Sequence, residues 1–348
     1  DEGPSYWTHA GASLFDTLDL LYRASDGRVS VFDEPLIGEI GRYIYRAHIA
    51  DDYYVNFADA PAIVRPDPGL VRAYGERIRD EAMVAFAHWL AAREDAVSSA
   101  MSRRDRLRPA NLQRVLRGLF AQHDEGAGAG DSSRPATGSR QTPAASADVR
   151  PPLPRDVWLP DIQVMVAREG EGTSEGWLVA AKGGHNAESH NHNDVGSIVV
   201  YRDGRPLLVD AGVETYTAKT FGDRRYEIWT MQSAYHTLLP ELDGEQQRPG
   251  TTFRAADVRS SSDDAGAELE LDIAGAYPPD AGLERWRRRV RLDRGSGVRI
   301  RDEYRLSRAV DRLTMSVLTA CAARADGPGT IGLAAREIVD GRWSASGA

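Results

Sequence analysis

The chain has 348 residues, 41% of them hydrophobic and 27% charged, with a net charge of -9, which describes a globular protein with room for two domains. This acidic balance excludes nucleic acid and anionic membrane surfaces as bulk electrostatic partners, although a local basic cleft would still hold an anion. A single cysteine, Cys321, excludes an internal disulfide framework and a cysteine zinc site.

Cys321 itself is expected in a buried strand. Lys182 and Lys219 are the only lysines, so nearly every cation is a guanidinium suited to planar carboxylate or sulfate groups. No run of about 18 apolar residues is present, so no membrane span is expected. The opening "DEGPSYWTHAGASLFDTLDLLYRAS" lacks the basic and hydrophobic regions of a signal peptide. It runs into an amphipathic pattern without a Met, as a piece of a longer precursor would.

Residues 1–122 read as helical. Leu14, Leu18, Leu20 and Leu21 fall on one side of a first helix, and "EPLIGEIGRYIYRAHIA" repeats the pattern over residues 34–50. "LVRAYGERIRDEAMVAFAHWLAARED" predicts one long helix over 70–95, and "NLQRVLRGLFAQH" a shorter one over 111–123. Residues 123–153 then fill with Gly, Ser, Ala and Pro and lose all periodicity, as a linker or flexible insertion does.

From residue 154 the period becomes two. "IQVMVARE", "GWLVAAKGG", "GSIVVYRDGRPLLVDAG", "AELELDIAGAY", "RRRVRLDR", "VRIRDEYRLS" and "RLTMSVLTA" predict short strands, and Asp203-Gly204 supplies a hairpin turn. Residues 154–348 are therefore expected to form a sandwich of two antiparallel sheets. No internal repeat, dinucleotide-binding, Walker or nucleophile-elbow pattern is present.

Ser189–Asp194, "SHNHND", places two of the eight histidines two residues apart. On an extended segment an i, i+2 pair puts both imidazoles on one face, where they share a cation or divide catalytic labour. The plainer alternative is a polar turn before a strand. Antiparallel pairing through the Asp203-Gly204 turn brings His192 toward Asp210, and His236 follows a short excursion later. Two imidazoles and a carboxylate are a common ligand set for Zn²⁺.

Residues 182–217, "KGGHNAESHNHNDVGSIVVYRDGRPLLVDAGVETYT", together with 224–244, "RRYEIWTMQSAYHTLLPELDG", resemble the core signature of the heparinase II/III-like family of polysaccharide lyases. "EGPSYWTHAGASLFD" and "DDYYVNFADAPA" resemble the final part of that family's (α/α) toroid. The resemblance implies an α+β multidomain protein, a partial (α/α) toroid of antiparallel helices followed by an antiparallel β-sandwich, with the first half of the toroid absent. It also implies cleavage of uronic-acid glycans by β-elimination, an anionic uronate polysaccharide or oligosaccharide as partner, and a periplasmic or extracellular location.

Such chemistry needs the uronate carboxylate neutralised, a base for the C5 proton and an acid for the departing O4. By the resemblance, His190 matches the catalytic histidine, and His192, Asp210 and His236 match ligands of a structural zinc. Tyr54, or its neighbour Tyr53, falls where the toroid contributes its catalytic tyrosine, and Tyr226 resembles a second cleft tyrosine. Glu2 matches the residue facing the uronate carboxylate, and Asn191 lies beside the catalytic histidine. Arg224 or Arg225, of which at most one faces the cleft, suits a carboxylate or sulfate, and Tyr6 and Trp7 suit stacking on a sugar. Asp194 is expected to hold the loop by hydrogen bonding. Two other readings stand beside this one: a zinc-dependent hydrolase with water activated next to His190, and a non-catalytic glycan-binding fragment.

Overall fold

The computed structural model describes residues 3–100, Arg114 and 150–337. Glu2, the linker over 123–149 and, apart from Arg114, the expected helix over 111–123 lie outside the described residues. Contacts divide the chain into two units. One comprises 8–45 and 65–152; the other comprises 1–7, 46–64 and 153–348. Two segments of the helical half therefore belong with the strands, a division finer than a single boundary near residue 122.

The chain opens with the short helix α1 (Pro4–Trp7), which belongs with the strands. The helical unit follows, built from α2 (Ala10–Ala24) and α3 (Pro35–Arg46) and, after an excursion into the other unit, from α4 (Pro68–Ile78) and α5 (Glu81–Ala100). The continuous helix expected over 70–95 is thus two. Arg79 adopts a left-handed φ of 57° that ends α4, and the Asp80 carboxylate accepts from Met83 N at 2.8 Å to start α5. The buried face of α2 also differs from expectation. Leu20 is 58% exposed and Leu21 48%, whereas Ala12, Phe15 and Asp19 are buried. Phe15 stacks on Tyr74 of α4 at 4.8 Å, and Asp19 is neutralised by Arg23 and Arg77, which together turn that side inward.

In the other unit, His48–Ala50 continues no helix. It is strand β1, paired with β2 (Tyr53–Tyr54). Buried Arg168 donates to the carbonyls of His48, Ile49 and Pro154, which fixes this hairpin, and burial lowers the Arg168 pKa to about 10.

The strands that follow are β3 (Asp156–Leu159), β4 (Val164–Arg168), β5 (Trp177–Lys182), β6 (His185–Asn186), β7 (Ile198–Arg202), β8 (Arg205–Leu208), β9 (Pro240–Leu242), β10 (Gly250–Arg254) and β11 (Ala256–Ser262). Then come β12 (Gly266–Asp272), β13 (Leu283–Asp293), β14 (Gly297–Leu306), β15 (Leu313–Met315), β16 (Ala322–Gly327) and β17 (Thr330–Ala334). Every pairing among the described strands is antiparallel. A five-stranded sheet runs β3-β4-β5-β7-β8 and a four-stranded one β11-β12-β13-β14.

Val179, Ala181, Ile198 and Val200 of the first sheet and Leu269, Leu271, Trp286, Val290 and Leu292 of the second share one hydrophobic core. Alternation explains the second sheet: Trp286, Arg288, Val290 and Leu292 face in, while Arg285, Arg287, Arg289 and Arg291 alternate with them and face out. The one inward cation, Arg288, is held by Asp302 and two backbone carbonyls. Cys321 is not in a buried strand; it sits half-buried at a bend before β16, where its amide N–H donates to the Thr319 hydroxyl oxygen.

Candidate active site and metal centre

Three loops of the strand-bearing unit build the site. Residues 187–197 link β6 to β7, the β7–β8 hairpin returns the chain to Asp210, and a run of 3₁₀ turns leads to His236. The segment around the paired histidines is not extended as expected. His190 has a left-handed φ of 56°, so the i, i+2 geometry of a strand does not apply.

A carboxylate from a fourth segment gathers the two rings instead. Asp59 Oδ2 lies 2.9 Å from His190 Nδ1, and Asp59 Oδ1 lies 2.9 Å from His192 Nε2. Arg225 Nη2 donates to the same Oδ1 at 2.9 Å. Burial pushes the Asp59 carboxyl up, but hydrogen bonding and charge from His192, then Arg225, then His190 outweigh it and hold the group below its ordinary value. An ionised carboxylate only accepts, so both facing ring nitrogens carry protons. His190 is thereby left with Nε2 as its basic nitrogen, and His192 with Nδ1.

His192 Nδ1 and His236 Nε2 are buried and have no hydrogen-bond partner. Ligand atoms of His192, Asp210 and His236 lie within 4.8 Å of one another, and all three side chains are fully buried. Asp210 Oδ2 meets His236 Nδ1 at 2.7 Å, and its Oδ1 accepts from Gly212 N. Two unsatisfied imidazole nitrogens beside a depressed carboxylate fit a Zn²⁺ ion. Behind them Lys182 Nζ donates to Asp194 Oδ1 at 2.8 Å, so Asp194 anchors the loop through a buried ion pair.

His190 has a more open setting. Tyr6 packs its ring 4.0 Å away, and Phe221, itself 70% exposed, meets it edge-on at 5.7 Å. Tyr216 Oη lies 3.4 Å from both His190 Nδ1 and Asp59 Oδ2 and hydrogen-bonds Tyr6. Burial, then Tyr6 and Asp59, raise the Tyr216 pKa, so its hydroxyl keeps its proton.

The remaining sequence candidates scatter. Arg225 spends its donors on Asp59, the Asn191 carbonyl and the Thr220 carbonyl, while Arg224 is exposed. Buried Asn191 donates to Tyr226 Oη at 3.3 Å. Tyr226 sits on a 3₁₀ turn. Trp7 is a core residue. Tyr54 is buried against His48, and Tyr53 lies against Tyr201.

Sequence reading missed Asp59, Tyr216 and Phe221. The available signal for Asp59 was a lone acid in the apolar run "VNFADAPAIV", which must be paired if buried.

Residues 151–320 match the heparinase II/III-like C-terminal family. Among solved structures the chain is similar to heparinase III, at 16% identity and a TM-score of 0.58, covering 93% of this chain and 43% of that one. It is also similar to heparan sulfate lyase HepC from Pedobacter heparinus, at 14% identity and a TM-score of 0.53, covering 86% and 37%. The chain thus spans less than half the length of these structures, and the likeness is one of fold. No curated protein matches it.

Proposed function

We propose, from the match of residues 151–320 to the heparinase II/III-like C-terminal family, that the chain serves a polysaccharide lyase that cleaves uronic-acid glycans by β-elimination. In this reading residues 1–122 are the end of an (α/α) toroid and 154–348 a β-sandwich, and the protein works in the periplasm or outside the cell. Among the described residues no helix is long and apolar enough to cross a membrane.

The observation that carries the proposal is the Asp59–His190 pair beside Tyr216. With Nδ1 engaged by Asp59, His190 Nε2 takes the C5 proton of a bound uronate. Tyr216, whose hydroxyl lies 3.4 Å from His190 Nδ1, gives a proton to O4 as the C4–O4 bond breaks. We assign that acid to Tyr216 rather than Tyr53, Tyr54 or Tyr226, because of these tyrosines it alone contacts His190. Phe221 and Tyr6 offer apolar walls to a sugar ring.

Zinc held by His192, Asp210 and His236 would tie the 187–197 loop, the end of β8 and the approach to β9 into one unit. Complete burial of the trio favours a closed structural site over the open coordination position a zinc hydrolase requires.

Incubating the protein with heparan sulfate, chondroitin sulfate and alginate while following ultraviolet absorbance tests this, since elimination leaves a C4–C5 double bond. Rising absorbance with one polymer is the expected result. New reducing ends without absorbance would establish a hydrolase, and binding without either product would establish a glycan-binding module.

A further inference from the structure

The geometry points to Asp59 as a positioning residue shared by the two histidines, an inference that rests on the proposed roles of His190 and His192. Its carboxylate holds His190 in the tautomer that leaves Nε2 basic and holds His192 in the tautomer that turns Nδ1 toward a metal.

Four features of the chain carry this. First, the Asp59 side chain is fully buried, and each oxygen engages a different imidazole at 2.9 Å. An ion pair with Arg225 alone would neutralise a buried acid; dividing the two oxygens between two rings does more than neutralise it. Second, the ring nitrogens turned away from Asp59 differ in surroundings. His192 Nδ1 is buried without a partner next to Asp210 and His236, whereas the His190 side chain stays 19% exposed.

Third, the loop that delivers Asp59 is fixed to the metal trio. Asn56 Nδ2 donates to the Asp210 carbonyl at 3.1 Å, so the backbone beside one ligand sets the carboxylate that orients another. Fourth, Ala58 takes a left-handed φ of 61° immediately before Asp59. An alanine in that conformation is strained, and the strain persists only where surroundings impose it. Gly3 is part of those surroundings, since a Cβ there would clash with the Ala60 Cβ.

An outer carboxylate on a metal-bound imidazole fixes ring orientation and raises ligand basicity, and its loss typically costs about 10- to 100-fold in metal affinity. Asp59 would supply that to His192 and, through its second oxygen, orient the proton-accepting ring of His190. A change in one branch would therefore reach the other through a single side chain.

Two measurements test the inference. In the zinc-loaded protein, ¹⁵N-resolved NMR of the histidine rings should find His190 protonated on Nδ1 and His192 protonated on Nε2. The opposite tautomer at either ring overturns the proposal, and this reading needs no variant and no activity. In Asp59→Asn, zinc affinity by competition titration should fall about 10- to 100-fold. Turnover should fall on the order of 10-fold or more with KM nearly unchanged, as expected when orientation rather than binding is lost. Unchanged tautomers and unchanged zinc affinity in a variant that only melts earlier would show a merely structural ion pair. If the lyase reading itself is mistaken, the wild-type protein yields no unsaturated product with any uronate glycan, while the tautomer and zinc results still stand or fall on their own.

Discussion

His190 and His192 are two residues apart and share one carboxylate, yet they occupy opposite kinds of environment. His192 faces a sealed pocket with Asp210 and His236, backed by the buried Lys182–Asp194 pair. His190 stands among Tyr6, Tyr216 and Phe221 with part of its ring open. In the proposed reading, burial assigns the same side chain with the same partner to scaffold or to chemistry. A sealed imidazole can only hold something fixed, whereas an open one can exchange a proton with a ligand.

The sealed side should break hardest. Lys182→Met removes the buried cation that meets Asp194 at 2.8 Å and Glu188 at 3.5 Å. It is expected to cost about 3–5 kcal/mol in chemical denaturation, the usual result of orphaning buried charge. Burial lowers the Lys182 pKa, but Asp194 and then Glu188 outweigh it and raise the pKa above its ordinary 10.5. Its stabilisation is therefore complete below that value and is lost as pH rises through the folded-state pKa. Wild-type stability should decline on strongly alkaline titration, and the variant's should decline less.

The open side should break in rate rather than stability. Tyr216→Phe is expected to lower turnover about 10²-fold, roughly 2.7 kcal/mol of barrier, if it removes the general acid. Tyr54→Phe should leave turnover within about threefold, and the reverse ranking would return the role to the tyrosine that the resemblance implies. Phe221→Ala, at the exposed edge, should raise KM about 3- to 10-fold, as losing an aromatic contact of about 0.5–1.5 kcal/mol would. A fall in kcat instead would give Phe221 a part in the chemistry.

The same division marks what could be read from the sequence. Strands β12 and β13 were legible because one face is buried and the other is lined with charge, which writes a period of two into "AELELD" and "RRRVRLD". The Asp203-Gly204 hairpin was legible from its turn residues, and with it the approach of His192 to Asp210.

The partners of Asp59 were not legible even though its place in an apolar run was, because they lie far along the chain at His190, His192 and Arg225, and no periodicity encodes so distant a contact. Local pattern also failed where a few tertiary contacts outweighed it. Arg168 holds His48–Ala50 as a strand inside a helical pattern, and Asp80 restarts a helix that looked continuous. His190 escaped the strand geometry because histidine tolerates the left-handed region that its loop requires.

That the two histidines serve separate ends is tested most directly by the zinc stoichiometry of His190→Ala and His192→Ala, measured side by side by mass spectrometry with turnover on the same samples. The account predicts that His190→Ala keeps its zinc and its melting temperature while losing on the order of 10²-fold in turnover. It predicts that His192→Ala loses zinc and melts earlier, because bound metal contributes to folding. Loss of zinc in His190→Ala, or full zinc occupancy in His192→Ala, would contradict it.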